Sequence, residues 1–216
     1  MHRLNRGAAP ACLAGYQYGV HQWANGIPAS PEKAEIWTCL EGMQQSRCAY
    51  CEAALVDGDK HIEHFRQRSR HPAGTFDWTN LFGSCNRKDT CGKHKDSCGL
   101  YNHADLLKPD VDDPDDFLVF VSDGTIVARE GLQPNQRNRA TETLRVLNLD
   151  AEHGALRHMR KQAAAGYLQM AEEFRQFSTE FDEAEWRPLL EQELAAIAQL
   201  PFVTVIRHAL IGNRLT

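Results

Sequence analysis

The apolar positions of the chain change period three times. Between Pro31 and about Gln45 they recur at helical spacing, with Ile36, Leu40 and Met43 four and three residues apart, as expected of a helix with one buried stripe. Ser30-Pro31 supplies the start signal, Ser as N-cap and Pro at the first position. Two shorter stretches are broken by Asp-Gly. Ala53 to Val56 and Lys60 to Phe65 flank Asp57-Gly58, and Phe117 to Val121 and Thr125 to Ala128 flank Ser122-Asp123-Gly124. Each predicts a tight hairpin. Helical period then returns and predicts helices over Arg137 to Leu147, His153 to Phe177, Glu183 to Gln199 and Phe202 to Ile211, with Pro188 near the start of the third. Residues 1–30, rich in Gly, Ala and Pro with scattered aromatics, predict an extended arm that packs on a partner or on the chain's own core. The whole is an α+β pattern, mainly helical.

Composition changes this picture little. At 216 residues, 42% hydrophobic and 25% charged, the chain is long enough for one substantial core or two small ones. No run approaches the about 18 apolar residues of a membrane span, and Met1-His-Arg-Leu-Asn-Arg-Gly7 lacks the apolar stretch of a secretory signal, so a cytoplasmic location is expected. Charge is more informative. The net value is −5, yet Lys60 to Asp96 holds eight Lys/Arg against four Asp/Glu, with four histidines, while Asp105 to Asp116 holds six aspartates against one lysine. A basic patch in an acidic chain focuses a polyanion onto one place.

Seven cysteines, an odd number, favour metal ligation in a reducing compartment over a disulfide framework. Cys48-Ala-Tyr-Cys51 delivers two thiolates on one turn, and Cys85 and Cys91 could complete a tetrahedral structural zinc site, with room for an inserted hairpin between the pairs. The second pair has five intervening residues where two are usual, so Cys98 or His94 could replace one member. Cys12 and Cys39 have no partner at ligand spacing and read as small core residues. His2, His21, His71, His103, His153, His158 and His208 read as surface or hydrogen-bonded core residues. His61, two residues before Glu63 on the same strand face, could support it.

The segments Arg47-Cys-Ala-Tyr-Cys-Glu52, Ile62-Glu-His-Phe-Arg66, Trp78-Thr-Asn-Leu81, Ser84-Cys85, Cys91-Gly-Lys-His-Lys-Asp96 and Leu107-Lys-Pro109 resemble the HNH nucleases found with retrons and with Septu-type antiphage systems. So do Ser122-Asp-Gly-Thr125, Arg139-Ala-Thr-Glu-Thr143 and Leu147-Asn-Leu149; the resemblance covers roughly residues 35 to 160. It implies a ββα-metal finger over 47–104, stapled by the zinc knuckles and set between an arm and helix over 1–46 and a second hairpin with helices over 105–216. In it His64 is the general base and Glu63 a ligand of a catalytic Mg²⁺ or Mn²⁺. Asn80 holds the base-bearing loop through backbone hydrogen bonds. The family often has His or Asn directly after the last knuckle cysteine, but here that residue is Gly92. His94, or else Asp96, must supply the remaining ligand, and His94 is preferred.

Adjacent strand residues point to opposite sides, so Glu63-His64 requires a strand end or a bulge. Arg66, Arg68, Arg70, Lys93 and Lys95 are expected to face phosphates, giving affinity without base reading. The implied target is DNA, alternatively a structured RNA such as a tRNA. The implied partners are an SMC/ABC-type ATPase and, in some systems, a reverse transcriptase with its RNA-DNA hybrid. Docking of such partners is expected to fall to the arm, through exposed aromatics around Tyr16, Tyr18 and Trp23, or to the C-terminal helices. A zinc-ribbon module that binds nucleic acid without cutting it, and an interaction subunit, are the competing readings.

Overall fold

The computed structural model describes residues 1–24 and 26–212. Its first helix, α1 (Ser30–Gln44), buries Ile36, Leu40 and Met43 as the spacing predicts. Its N-cap is Ala29, one residue earlier than expected. Ser30 is therefore inside the helix, and Glu32 reaches back to accept from the Ala29 amide at 2.7 Å, satisfying a donor of the first turn.

The first predicted hairpin is corrected. The Asp57-Gly58 turn forms, but β1 (Lys60–His64) pairs antiparallel with β2 (Leu81–Cys85), in the register Lys60↔Cys85 to His64↔Leu81. Residues 53–55 are already committed: the Ala53 carbonyl accepts from Cys48 N at 2.8 Å, and Leu55 N donates to Ser46 O at 2.7 Å. The cysteine knuckle has used the backbone groups that a hairpin strand would need.

After β2 comes α2 (Cys91–Ser97), so the order β1-β2-α2 follows the knuckle. The second predicted hairpin is present, shortened to β3 (Leu118–Phe120) and β4 (Ile126–Ala128). Among the described residues five α-helices follow: α3 (Pro134–Leu147), α4 (Ala155–Ala165), α5 (Leu168–Glu180), α6 (Glu183–Ile197) and α7 (Val203–Ile211). The single helix expected over 153–177 is thus broken at Gly166-Tyr167, where Gly is the residue that least supports helix continuation short of Pro. The α+β, mainly helical class agrees with the sequence pattern.

Buried residues from the arm, from the knuckle segment and from the C-terminal helices form one cluster, including Met1, Leu4, Ile36, Tyr50, Phe82, Leu147 and Val205. The arm therefore packs on its own core, the second of the two alternatives. Arg6 lies over the rings of Trp78 and Phe82 and donates to the Trp78 carbonyl at 2.7 Å. Tyr16 stacks on Phe76 with centroids 4.9 Å apart. Of the three aromatics expected to dock partners, Tyr18 alone is exposed.

Two contacts fix the finger against this core. Gln44, at the end of α1, exchanges hydrogen bonds with both backbone groups of Gly83. A Cβ on Gly83 would come within 2.8 Å of the Trp37 ring, so any larger residue there would have to displace that ring or the strand. On the other side, Thr90 Oγ1 donates to the carbonyls of Leu147 and Asn148, satisfying acceptors that the end of α3 leaves open.

Candidate functional site

The two cysteine pairs converge. Cys48, Cys51, Cys85 and Cys91 are buried, and their four Sγ atoms lie within 4.8 Å of one another. Cys48 and Cys91 stand 3.8 Å apart and Cys51 and Cys85 3.9 Å. Tetrahedral zinc with Zn–S bonds of about 2.3 Å separates its sulfurs by about 3.8 Å, so the residues fit the ion. Burial pushes the Cys48 thiol up, but donors from the other three cysteines outweigh it and hold this group well below the usual thiol range. The fourth member of the cluster is Cys91. Cys98, the alternative, is only partly buried and contacts the Lys95 carbonyl. Ser84 supports the cluster: its Oγ accepts from Gly92 N at 3.3 Å and lies 3.9 Å from the Cys48 sulfur.

His64 is the last residue of β1, so the break expected at Glu63-His64 is a strand end. Its imidazole is 7% exposed. Nε2 lies 2.9 Å from the Thr75 carbonyl, which can only accept, so the proton sits on Nε2 and the Nδ1 lone pair is left to act as acceptor. Trp23 covers the ring edge-on at 4.7 Å. Burial lowers the imidazole to about 4, and Arg68 and Lys95 push in the same direction, against the Thr75 hydrogen bond and Glu63. His64 is thus neutral at physiological pH, the state a general base requires.

Asn80 is fully buried and splints the 65–80 loop. Its Oδ1 accepts from Arg66 N at 2.7 Å, while Nδ2 donates to Arg66 O at 3.1 Å and to Gly74 O at 2.9 Å. Thr75, which orients His64, directly follows Gly74.

Three placements correct the sequence reading. Lys95 does not face phosphate: it is 0% exposed, with Nζ 2.7 Å from Glu63 Oε1 and 2.9 Å from Asp96 Oδ1. The approach to Oε1 is off the line of a hydrogen bond, so the contact is an ion pair and Oε1 accepts none. Burial opposes the ammonium, but Glu63, Tyr101 and Asp96 together outweigh it and raise the Lys95 pKa.

The second correction concerns His94. Gly92 and Lys95, three apart on α2, share the face toward Glu63, whereas His94, two after Gly92, points about 200° away around the helix. Its Nδ1 donates to the Val146 carbonyl at 2.9 Å, supporting the end of α3. His94 and Glu63 therefore do not converge on a common cation, and Asp96, the alternative, reaches Glu63 through Lys95.

Third, of the remaining basic residues Arg66 is paired with Asp77 at 2.7 Å, while Arg68, Arg70 and Lys93 are exposed. A Cβ at Gly92 would stand 2.4 Å from Glu63 Oε2. The carboxylate fills the place where a ligand-bearing side chain would have begun.

Sequence reasoning missed Trp23, Thr75 and the buried role of Lys95. The signal for Lys95 was present in its three-residue offset from Gly92 on a short helix; Trp23 and Thr75 are brought in by the arm and by a loop, and carry no spacing signal. Among the described residues, no helix is long and apolar enough to cross a membrane. No family model and no curated protein matches the chain.

The His64 environment predicts a pH-dependent stability. The folded value, about 4, lies below the ordinary 6.5. Between those values the unfolded chain binds more protons, so the stabilisation is complete above pH 6.5 and is lost as pH falls toward 4. Its full size is about 3 kcal/mol. Denaturant unfolding at pH 7 and 4.5 is expected to show a larger acid loss in the wild type than in His64→Gln. Trp23→Ala uncovers the ring and is expected to move the His64 pKa upward, read from the imidazole proton resonances; an unchanged value would show that Trp23 does not control its solvation.

Proposed function

We propose that this chain is an HNH-type nuclease that hydrolyses phosphodiester bonds in nucleic acid, with His64 as general base. The observation that carries the reading is the state of His64: a buried, neutral imidazole whose Nε2–H is fixed on Thr75 and whose Nδ1 is left as acceptor. It stands at the end of the first strand of a β1-β2-α2 unit beside a four-cysteine cluster. A base at a strand end, oriented by a splinted loop and held rigid by a structural zinc, is a preorganised proton acceptor. In the proposed reaction Nδ1 takes a proton from a water in line with the scissile phosphorus. The exposed Arg68, Arg70 and Lys93 bind flanking phosphates as sequence-indifferent charges.

Glu63 would hold the catalytic divalent cation, magnesium or manganese, which when bound would neutralise charge on the phosphate. Resemblance supplies the rest of the setting: a cytoplasmic antiphage system, an ATPase of the SMC/ABC type that restrains the nuclease, and in some systems a reverse transcriptase with its RNA-DNA hybrid. The target is DNA or a structured RNA such as a tRNA.

One observation favours a second reading, a zinc-stapled module that binds nucleic acid without cutting. Glu63, the residue that would hold the cation, already carries an internal counter-ion in Lys95.

The test is cleavage of plasmid, single-stranded DNA and tRNA by the zinc-loaded chain, alone and co-expressed with a neighbouring ATPase. His64→Ala is expected to lower the rate by about 10² to 10⁴ while leaving nucleic-acid binding intact. Cleavage at the wild-type rate by His64→Ala would remove the mechanism. Binding with no cleavage by wild type under any of these conditions would establish the second reading.

A further inference from the structure

The geometry that turns His94 away from Glu63 brings another imidazole to it. His61 and Glu63 are two residues apart in β1, opposite Ser84 and Phe82 of β2, and so leave the sheet on the same face. His61 Nε2 lies 3.1 Å from Glu63 Oε2. We propose that His61 and Glu63 together are the protein ligands of a divalent cation, one imidazole nitrogen and one carboxylate oxygen, with the other positions left to water and phosphate. The proposal deepens the nuclease reading of this site and rests on it.

The spacing is that of neighbouring ligands on one small ion. Two donors each about 2.1 Å from an octahedral cation and at right angles stand about 3.0 Å apart. Magnesium and manganese are held by few protein ligands and keep several waters, so a two-ligand site is of the right kind. Glu63 divides its oxygens accordingly. Oε1 faces Lys95 and Oε2 faces His61, so a cation on Oε2 is bound by one oxygen only.

His61 is not held by other polar contacts. Its Nδ1 is buried without a hydrogen-bond partner, and its one polar contact among the described residues is Glu63. Apart from Glu63, no described protein group competes for its Nε2. The imidazole side chain is 20% exposed, and this gives the pair its opening to solvent.

Lys95 sets the strength of the site. A fixed ammonium 2.7 Å from the other oxygen of the same carboxylate repels a second cation. Affinity without substrate is therefore weak and rises when a phosphate joins the shell. Neutralising Lys95 relieves the repulsion.

The experiment is Mn²⁺ titration of the full zinc-loaded chain, read by loss of the free-ion EPR signal. Wild type is expected to bind one Mn²⁺, with Glu63→Gln and His61→Ala each weakening binding at least tenfold and Lys95→Met strengthening it. His61→Asp, which returns a ligand atom, is expected to recover binding lost in His61→Ala. His94→Gln keeps a donor for Val146 and is expected to bind as wild type does. The inference is overturned if wild type binds no Mn²⁺, if His61→Ala binds normally with circular dichroism unchanged, or if His94→Gln is the variant that loses the ion. Because the readout is binding, Mn²⁺ uptake without cleavage of any nucleic acid would sink the nuclease reading and leave the site standing, whereas cleavage without Mn²⁺ uptake would do the reverse.

Discussion

Cys51→Ser is expected to unfold much of the protein, and the purified wild type to carry one zinc without any being added. Four buried thiols whose sulfurs lie within 4.8 Å make poor packing and a good ligand set. The binding free energy of such sites, about 10 to 16 kcal/mol in small zinc peptides at neutral pH, is largely folding free energy. That is as large as the whole stability of an ordinary domain, about 5 to 15 kcal/mol.

Loss of the metal would not stay local. Ala49 N bonds the Gly83 carbonyl at 3.0 Å and ties the knuckle to β2, while Thr90, the neighbour of Cys91, holds the end of α3. Metal analysis and thermal unfolding give the check. Cys51→Ser and strong chelation should abolish cooperative melting. Cys12→Ser, outside the cluster, should change stability by less than about 1 kcal/mol. A well-folded, zinc-free wild type would end the structural-metal account.

The parts of this centre that were legible in the sequence are those that act through local spacing. Cys48-x-x-Cys51 is a turn with two ligands, and Ile36, Leu40 and Met43 are a stripe; both depend on residues a few positions apart. The Asp57-Gly58 turn was legible too, but its strand partner was not. Whether Ala53 to Val56 pairs with Lys60 to Phe65 depends on where the Cys48 and Leu55 amides go, and the knuckle takes them.

Lys95 shows the same limit in charge. A lysine in a basic run reads as solvated surface, and only the approach of α2 to β1 reveals a carboxylate able to bury it. Gly92 looked like a missing ligand. In the fold it is the space that Glu63 occupies. His94 reads as a ligand from its nearness in sequence to Cys91, but its two-residue offset from Gly92 turns it about 200° from the helix face that meets Glu63.

Asn80→Asp is expected to damage the site more than Asn80→Ala at neutral pH, although it changes fewer atoms. The native amide makes one acceptance and two donations, to Arg66 N, Arg66 O and Gly74 O, in a position with no exposure. Alanine loses all three and leaves those backbone groups unpaired or wet, at about 1 to 3 kcal/mol for each one left buried without a partner. The isosteric carboxylate keeps the Arg66 N contact but aims negative oxygen at two carbonyls, and a buried charge without a donor is costlier still. Its pKa must rise, so the sign with pH is fixed. The folded value exceeds the unfolded one, and the variant gains stability as pH falls through the folded pKa, because the protonated acid can donate to one carbonyl. Denaturant unfolding of the two variants at pH 7 and 5 reads this directly, with Asn80→Asp below Asn80→Ala at pH 7 and recovering at pH 5. Thr75 follows Gly74 and fixes the His64 tautomer, so the same variants should release the imidazole, with its resonance moving toward that of a solvated histidine. Equal stabilities at both pH values, with His64 unmoved, would mean that Asn80 is a core filler and that the loop holds the base by other means.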